Sequence, residues 1–147
     1  MSSELTVERL LDVTPEQAYD AYLDPEAAKV WFTILDPGMI VEIDADVRVG
    51  GEWSATWGFS PDEMFWEKQT LLVLDRPNRI VATSAGGSPD GSELVTEVTV
   101  TFEAHDGKTL MKVHQTGFPD DATRDFFSDQ AWNGFFERFA AYLDSIR

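Results

Sequence analysis

Hydrophobic positions in the last stretch of the chain, DATRDFFSDQAWNGFFERFAAYLDSIR, recur at helical spacing. At 3.6 residues per turn, Trp132, Phe135, Phe136, Phe139, Leu143 and Ile146 fall on one face, and Asn133, Glu137, Ala141 and Asp144 on the other. Burying six such side chains, at roughly 1.5–3 kcal/mol each, contributes on the order of 10 kcal/mol. The helix is therefore an obligatory part of the core. Asp120 or Asp121 is placed to cap it. Asp125 and Ser128 project along the stripe of Trp132, so either the helix starts later than Asp120 or these polar groups sit at a wet entrance.

Elsewhere the period is two. Residues 4–13 alternate as a strand, with Leu5, Val7 and Leu11 on one side. TPEQAYDAYL follows, where Thr14 suits an N-cap, Pro15 the first helical position and Gln17 a capping box. Asp24-Pro25-Glu26 repeats the start signal and predicts a second short helix to about Val30 or Trp31. From residue 39 to 116 the pattern is strands and turns: MIVEIDADV, then EWSATW after Gly50-Gly51, then a long strand from about Met64 to Leu74. RIVATSA follows Arg76-Pro77-Asn78, and GGSPDGS reads as a flexible loop.

In LVTEVTVTFEA, Leu94, Val98, Val100 and Phe102 point one way and Glu97, Thr99, Thr101 and Glu103 the other. His105-Asp106-Gly107-Lys108 supplies a hairpin turn into TLMKVHQT, where Met111, Val113 and Gln115 lie opposite Leu110, Lys112 and His114. The order is one strand, two short helices, about six strands and one long helix, with no repeat or linker. Hairpin connections make the sheet antiparallel, and its apolar face needs a cover that only the long helix can supply. The expected fold is one α+β domain over residues 1–147: a curved antiparallel sheet of about six or seven strands gripping the C-terminal helix.

Composition narrows the function. With 11 Lys+Arg against 27 Asp+Glu, the net charge is −16. Such a surface repels phosphate backbones, so neither nucleic acid nor an anionic membrane is an expected partner. Solubility explains the bias, and steering of a basic partner is the other reading. The absence of cysteine removes disulfides, thiolate metal sites and thiol nucleophiles. No apolar run approaches the roughly 20 residues of a membrane span, and MSSELTVERLL has no signal-peptide pattern, so a cytoplasmic protein is expected. A homodimer is common enough to expect.

Candidate chemistry is sparse. His105 and His114, nine apart across a hairpin, do not suggest a metal site, and no cofactor is expected. No serine has nucleophile-elbow context. His114 shares a strand face with Lys112 and reads as a surface residue, whereas Gln115 has the inward parity. Its amide either offers a hydrogen bond inside an apolar pocket or satisfies backbone at the strand end. The aromatics, five Trp, ten Phe and three Tyr, serve core packing in large part. Trp53 and Trp57 on a sheet face, with Trp132, Phe135 and Phe139 opposite, are nevertheless bulkier than a tight sheet–helix interface needs. A cavity lined by aromatics is the alternative, with Phe32, Phe59 and Phe65 near its mouth and Ser128 at its entrance.

Several segments resemble the START-like, helix-grip superfamily, in its branch of homologues of the activator of heat-shock-protein ATPase. PEQAYDAYLDPEAAKVWF, from Pro15 to Phe32, is similar to that family's first helical hairpin. Val49-Gly50-Gly51-Glu52-Trp53 resembles its Gly-Gly-x-aromatic strand entry, and Asp75-Arg76-Pro77-Asn78-Arg79-Ile80-Val81 its middle turn. Gly117-Phe118-Pro119 and Trp132, Phe139, Tyr142 and Leu143 resemble the start and body of its final helix. Two positions depart: Gln115 stands where relatives often carry histidine, with His114 one place earlier on the opposite face. Gln69 stands where glycine is common, so a different local backbone is expected there.

The resemblance implies a cavity between sheet and long helix that takes lipids, sterols, polyketides or other apolar ligands. A small apolar or aromatic ligand is therefore the leading expectation. An enzyme similar to polyketide cyclases and aromatases, moving protons with a few polar residues, is the second. A protein-interaction module of co-chaperone type is the third. The eukaryotic activator carries a further N-terminal domain, whereas this chain begins directly with the first strand, so a chaperone role is not read from the family name.

Overall fold

The computed structural model describes residues 3–146; Met1, Ser2 and Arg147, the ends of the domain expected over 1–147, lie outside the described residues. The strands are β1 (Ser3–Leu11), β2 (Ile40–Ala45), β3 (Glu52–Gly58), β4 (Met64–Asp75), β5 (Arg79–Gly87), β6 (Glu93–His105) and β7 (Lys108–Phe118). They form one seven-stranded sheet in the order β1-β7-β6-β5-β4-β3-β2, antiparallel throughout. β2 to β7 thus follow one another as neighbours, while β1 closes the far edge against β7. Helices α1 (Pro15–Leu23) and α2 (Pro25–Thr33) carry the chain from that edge across the sheet to β2.

Local chemistry sets these boundaries. The Thr14 side chain accepts from the Gln17 backbone N–H at 3.2 Å and Gln17 Oε1 accepts from the Thr14 N–H at 3.0 Å, the reciprocal box the sequence suggested. Asp24 accepts from the Glu26 N–H at 3.1 Å and starts α2 directly behind α1. α2 runs to Thr33, two or three residues beyond its expected end. Two indoles pin this hairpin: Trp31 Nε1 donates to the Ala21 carbonyl at 3.1 Å and Trp53 Nε1 to the Leu23 carbonyl at 3.0 Å. Asp106 (φ 51°) and Gly107 (φ 79°) make the tight β6–β7 hairpin, both in the left-handed conformation that such a two-residue turn requires.

The expected strand parities of β6 and β7 are observed. Val98, Val100, Phe102, Met111 and Val113 are buried, and Glu97, Glu103 and His114 are exposed. Two details differ. Gly86 and Gly87, expected in the flexible loop, belong to β5 and pair with Glu67 and Trp66. A Cβ on Gly87 would meet Trp66 Nε1 at 2.1 Å, so the indole lies flat where a side chain would stand. Gln69 causes no backbone irregularity: it sits in register between Trp53 and Ser84, and the bulge of β4 falls between Leu71 and Val73.

The C-terminal helix is not one regular α-helix. α3 (Asp121–Phe126) leads through a π turn, Phe127–Ala131, into α4 (Trp132–Ser145). Asp120 is the cap, its carboxylate accepting from the Thr123 N–H at 2.7 Å. The wider π turn breaks the 3.6-residue stripe. Asp125 is consequently exposed, with Arg124 Nε donating to it at 2.8 Å, rather than aligned with Trp132. Phe136, Phe139 and Leu143 are buried as expected, but Ile146 is 50% exposed. The helix ends at Ser145 and Ile146 leaves helical geometry (φ −104°, ψ 0°), so periodicity no longer aims its side chain inward.

Candidate functional site

The sheet's concave face is filled unevenly. Toward β7 and β1, the side chains of Leu11, Val100, Met111, Val113, Phe136 and Phe139 pack into a closed core with Tyr19 and Tyr22 of α1. Toward the other end, the row Ala55–Glu67–Gly86–Leu94 crosses four strands as register partners, and its first three members present short or polar side chains. A Cβ added to Gly86 would meet, within 4 Å, only the Trp66 carbonyl oxygen at 3.3 Å.

Around this row runs a chain of aromatic rings. Phe65 stacks on Trp57 (centroids 5.9 Å apart, planes 13°), and Trp57 meets Phe32 at 5.2 Å. Phe32 stacks on Trp31 at 4.7 Å, Trp31 meets Phe135 edge-on at 5.1 Å, and Phe135 meets Trp132 at 5.5 Å. Register explains the first contact: Trp57 and Phe65 are direct cross-strand partners on the inner face. Phe32, Trp57, Trp132 and Phe135 are half-buried, and Phe65 is exposed. Trp53, in contrast, is buried and structural, tied to α1 through its indole N–H.

Two polar clusters lie inside. In the first, Gln69 Nε2 donates to Glu67 Oε1 at 2.9 Å and Ser84 Oγ to Glu67 Oε2 at 3.3 Å. Burial pushes the Glu67 carboxyl up from its ordinary value, against the pull of those two donors. Burial, and then the charge of Glu67, likewise push the Tyr22 phenol up. In the second cluster, Gln115 Nε2 donates to Thr96 Oγ1 at 2.8 Å and Trp132 Nε1 donates to Gln115 Oε1 at 2.8 Å. The Gln115 amide therefore serves two side chains, not the backbone at the strand end, and it fixes the indole of Trp132. Ser84 and Thr96 are register partners, which brings the clusters side by side.

Of the residues singled out from the sequence, Phe32, Trp57, Phe65, Trp132 and Phe135 come together in the aromatic chain, with Gln115 behind it. Ser128 is half-buried in the π turn. Phe139 is fully buried against Phe135, Trp31 and Tyr22 and belongs to the closed core. Phe59 is 66% exposed in the β3–β4 connection and makes no ring contact among the described residues. Sequence reasoning missed Glu67, Ser84, Thr96 and Tyr22. The signal was available for Glu67, because Phe65, Glu67, Gln69 and Leu71 share one parity and Leu71 is a core residue.

The histidines stand apart from this region. His114 lies on the outer face with Nε2 3.6 Å from Glu4, and His105 is at the hairpin tip beside Asp106. No group of three metal-ligating side chains gathers among the described residues, and no described helix is long and apolar enough to cross a membrane. Two open clefts flank α1, about 580 Å³ beside Pro15, Pro77 and Thr101 and about 440 Å³ beside Asp20, Val47 and Arg76. Neither includes a residue of the aromatic chain.

Known structures share the architecture. A protein from Chromobacterium violaceum is 23% identical with a TM-score of 0.77, over 95% of this chain and 96% of that one. A protein from Rhizobium leguminosarum is 20% identical with a TM-score of 0.81, over 99% and 96%. A Rhizobium loti protein is 20% identical with a TM-score of 0.78, over 97% of both. At these identities the likeness establishes the fold. Curated proteins give no significant match. The family model described as "Activator of Hsp90 ATPase homolog 1-like protein" matches residues 12–144. That match takes in α1, α2, every strand from β2 to β7 and all but the last residue of the C-terminal helix, and the chain belongs to this START-like family, whose fold is in general a ligand-binding one.

Proposed function

We propose that the protein binds a small apolar or aromatic molecule between the concave face of its sheet and the C-terminal helix. The observation that carries this reading is the uneven filling of the inner face. One end is closed by Phe136 and Phe139, while at the other the rings of Trp57 on β3, Phe32 on α2 and Phe135 and Trp132 on α4 stay half-buried and Gly86 carries no side chain. Rings on several elements give a flat apolar molecule stacking surfaces, and the few polar groups among them set its orientation.

Thermal shift and native mass spectrometry against fatty acids, sterols and polyphenols test it. A ligand at 100 times its Kd raises the melting temperature by about 5–10 °C in a domain of this size. Phe135→Ala and Trp132→Phe reduce that shift. Absence of a shift with every class refutes the reading.

The Glu67–Gln69–Ser84 cluster favours a second reading, acid–base catalysis on the same scaffold as in the cyclases. A carboxyl raised toward neutrality is suited to moving a proton. Turnover of a bound polyketide that is lost in Glu67→Gln would support it.

A further inference from the structure

The inner carboxylate of Glu67 has acceptor capacity to spare. Each of its oxygens takes one hydrogen bond, from Gln69 and from Ser84, and an ionised carboxylate has about four acceptor sites. Among the described residues no Lys, Arg or His forms an ion pair with it. Its direct neighbours across β3 and β5 are Ala55 and Gly86, which carry no bulky side chain. The chain therefore holds a carboxylate with no cationic partner among the described residues, two positions along β4 from Phe65 at the end of the aromatic chain.

We infer that the ligand is an organic cation: an aromatic or apolar body lying along Phe32 and Trp57, with a protonated nitrogen donating to Glu67 over Gly86. This inference rests on the small-molecule reading above and specifies its ligand class. Three features converge on it. The carboxylate gains the counter-ion its burial lacks. Ring faces attract cations, most strongly tryptophan. A net charge of −16 raises the local concentration of cations and repels anions. The inward positions of the packed elements, Ala55 on β3, Ser84 on β5, Thr96 on β6, Trp31 on α2 and Phe135 on α4, carry no charge. Tyr22 on α1 is the one titratable group coupled to Glu67.

Titration calorimetry at pH 8 with three matched indoles tests this: tryptamine (cation), 3-ethylindole (neutral) and indole-3-propionate (anion). Tryptamine is expected to bind about tenfold more tightly than 3-ethylindole, the worth of one charge-assisted hydrogen bond, with indole-3-propionate weakest. Glu67→Gln removes the advantage of tryptamine and leaves 3-ethylindole unchanged, which also certifies the fold of the variant. A measurement needing no variant is the pH profile: tryptamine stays protonated as the pH is lowered, while the raised Glu67 carboxyl takes up its proton at a higher pH than an ordinary carboxylate, so only tryptamine weakens. Equal affinities for tryptamine and 3-ethylindole, or full tryptamine affinity in Glu67→Gln, overturns the inference. If 3-ethylindole nonetheless binds, the apolar-ligand reading stands without it. If no indole binds, the inference falls, and the lipid and sterol screen decides the broader reading separately.

Discussion

Phe135 and Phe139 lie one turn apart on α4, stacked at 5.1 Å, yet they have different tasks. Phe139 has no exposed surface and is enclosed by Tyr22, Trp31 and Phe135. Truncating it to alanine removes the transfer free energy of the ring and leaves a hole that buried neighbours cannot fill, a combination that costs about 3–5 kcal/mol. For a domain of this length that is a fall in melting temperature of roughly 6–20 °C. Phe135 touches five rings but remains half-open to solvent. Water enters the space its ring vacates, so the cavity term is small and the loss is about 2 kcal/mol. Far-UV circular dichroism against temperature and urea measures both variants, and binding of a hydrophobic dye follows the site. Phe139→Ala should lose the larger part of the stability; Phe135→Ala should stay folded at 25 °C but bind dye differently. Equal destabilisation, with dye binding unaltered in Phe135→Ala, would refute the division of the helix into a locking part and a site wall.

Other outcomes are equally specific. In the folded protein the Glu67 carboxyl is raised, so the native state holds its proton to higher pH than the unfolded chain and stability is lost as pH rises through the folded pKa. Glu67→Gln escapes that loss: its melting temperature should exceed wild type at pH 8, with the gap closing toward pH 4, and a pH-independent gap argues against it. Asp20 has the opposite sign, because Arg76 hydrogen-bonds its charged form and lowers its pKa; Asp20→Asn should weaken the protein at neutral pH and make no difference below the ordinary carboxyl range, by urea midpoints. Gln115→Leu strands the Trp132 N–H and the Thr96 hydroxyl, costing about 1–3 kcal/mol and changing tryptophan emission. Thr14→Ala removes one cap of α1 and should cost about 1 kcal/mol, read from chemical denaturation.

How much of this could be read from the residues depends on whether the controlling interaction is local. Thr14 with Gln17, Asp24 before Pro25, and Asp106-Gly107 act within a few positions, and each did what its spacing promised. Strand parity carried equally well in β6, where Val and Thr alternate, and in β7, which pairs with it across a tight hairpin. The failures share a cause. The π turn at 127–131 answers to tertiary contacts of Phe127 with Phe118 and of Trp132 with Gln115, distant in sequence, so a stripe extrapolated at 3.6 misaligned Asp125. Gly86 and Gly87 look like loop until a partner strand and the Trp66 indole are present. Glu67 was overlooked because a charge beside Lys68 in a long strand suggests the solvent face, although the parity of Leu71 places it inside. The aromatic members of the site were visible as an excess of bulk, but the row of Ala55, Glu67 and Gly86 beside them is assembled by cross-strand register.

The pairing of β1 with β7 has a bearing on how this chain acquires its structure. Leu5 opposes Gln115 and Leu11 opposes Thr109, so the strand synthesised first waits for the strand synthesised last in the sheet. β2 to β7 can zip up hairpin by hairpin, each closure short and entropically mild, whereas β1 closes a loop of nearly the whole chain. The C-terminal helix comes later still, and α3 packs on β1 as well as on β7. On the ribosome, the nascent meander must carry its apolar concave face uncovered until the final segment emerges. The interface between sheet and helix is therefore the last thing the protein makes, and amides of β1 and the helix should be the latest to gain protection in pulsed hydrogen exchange.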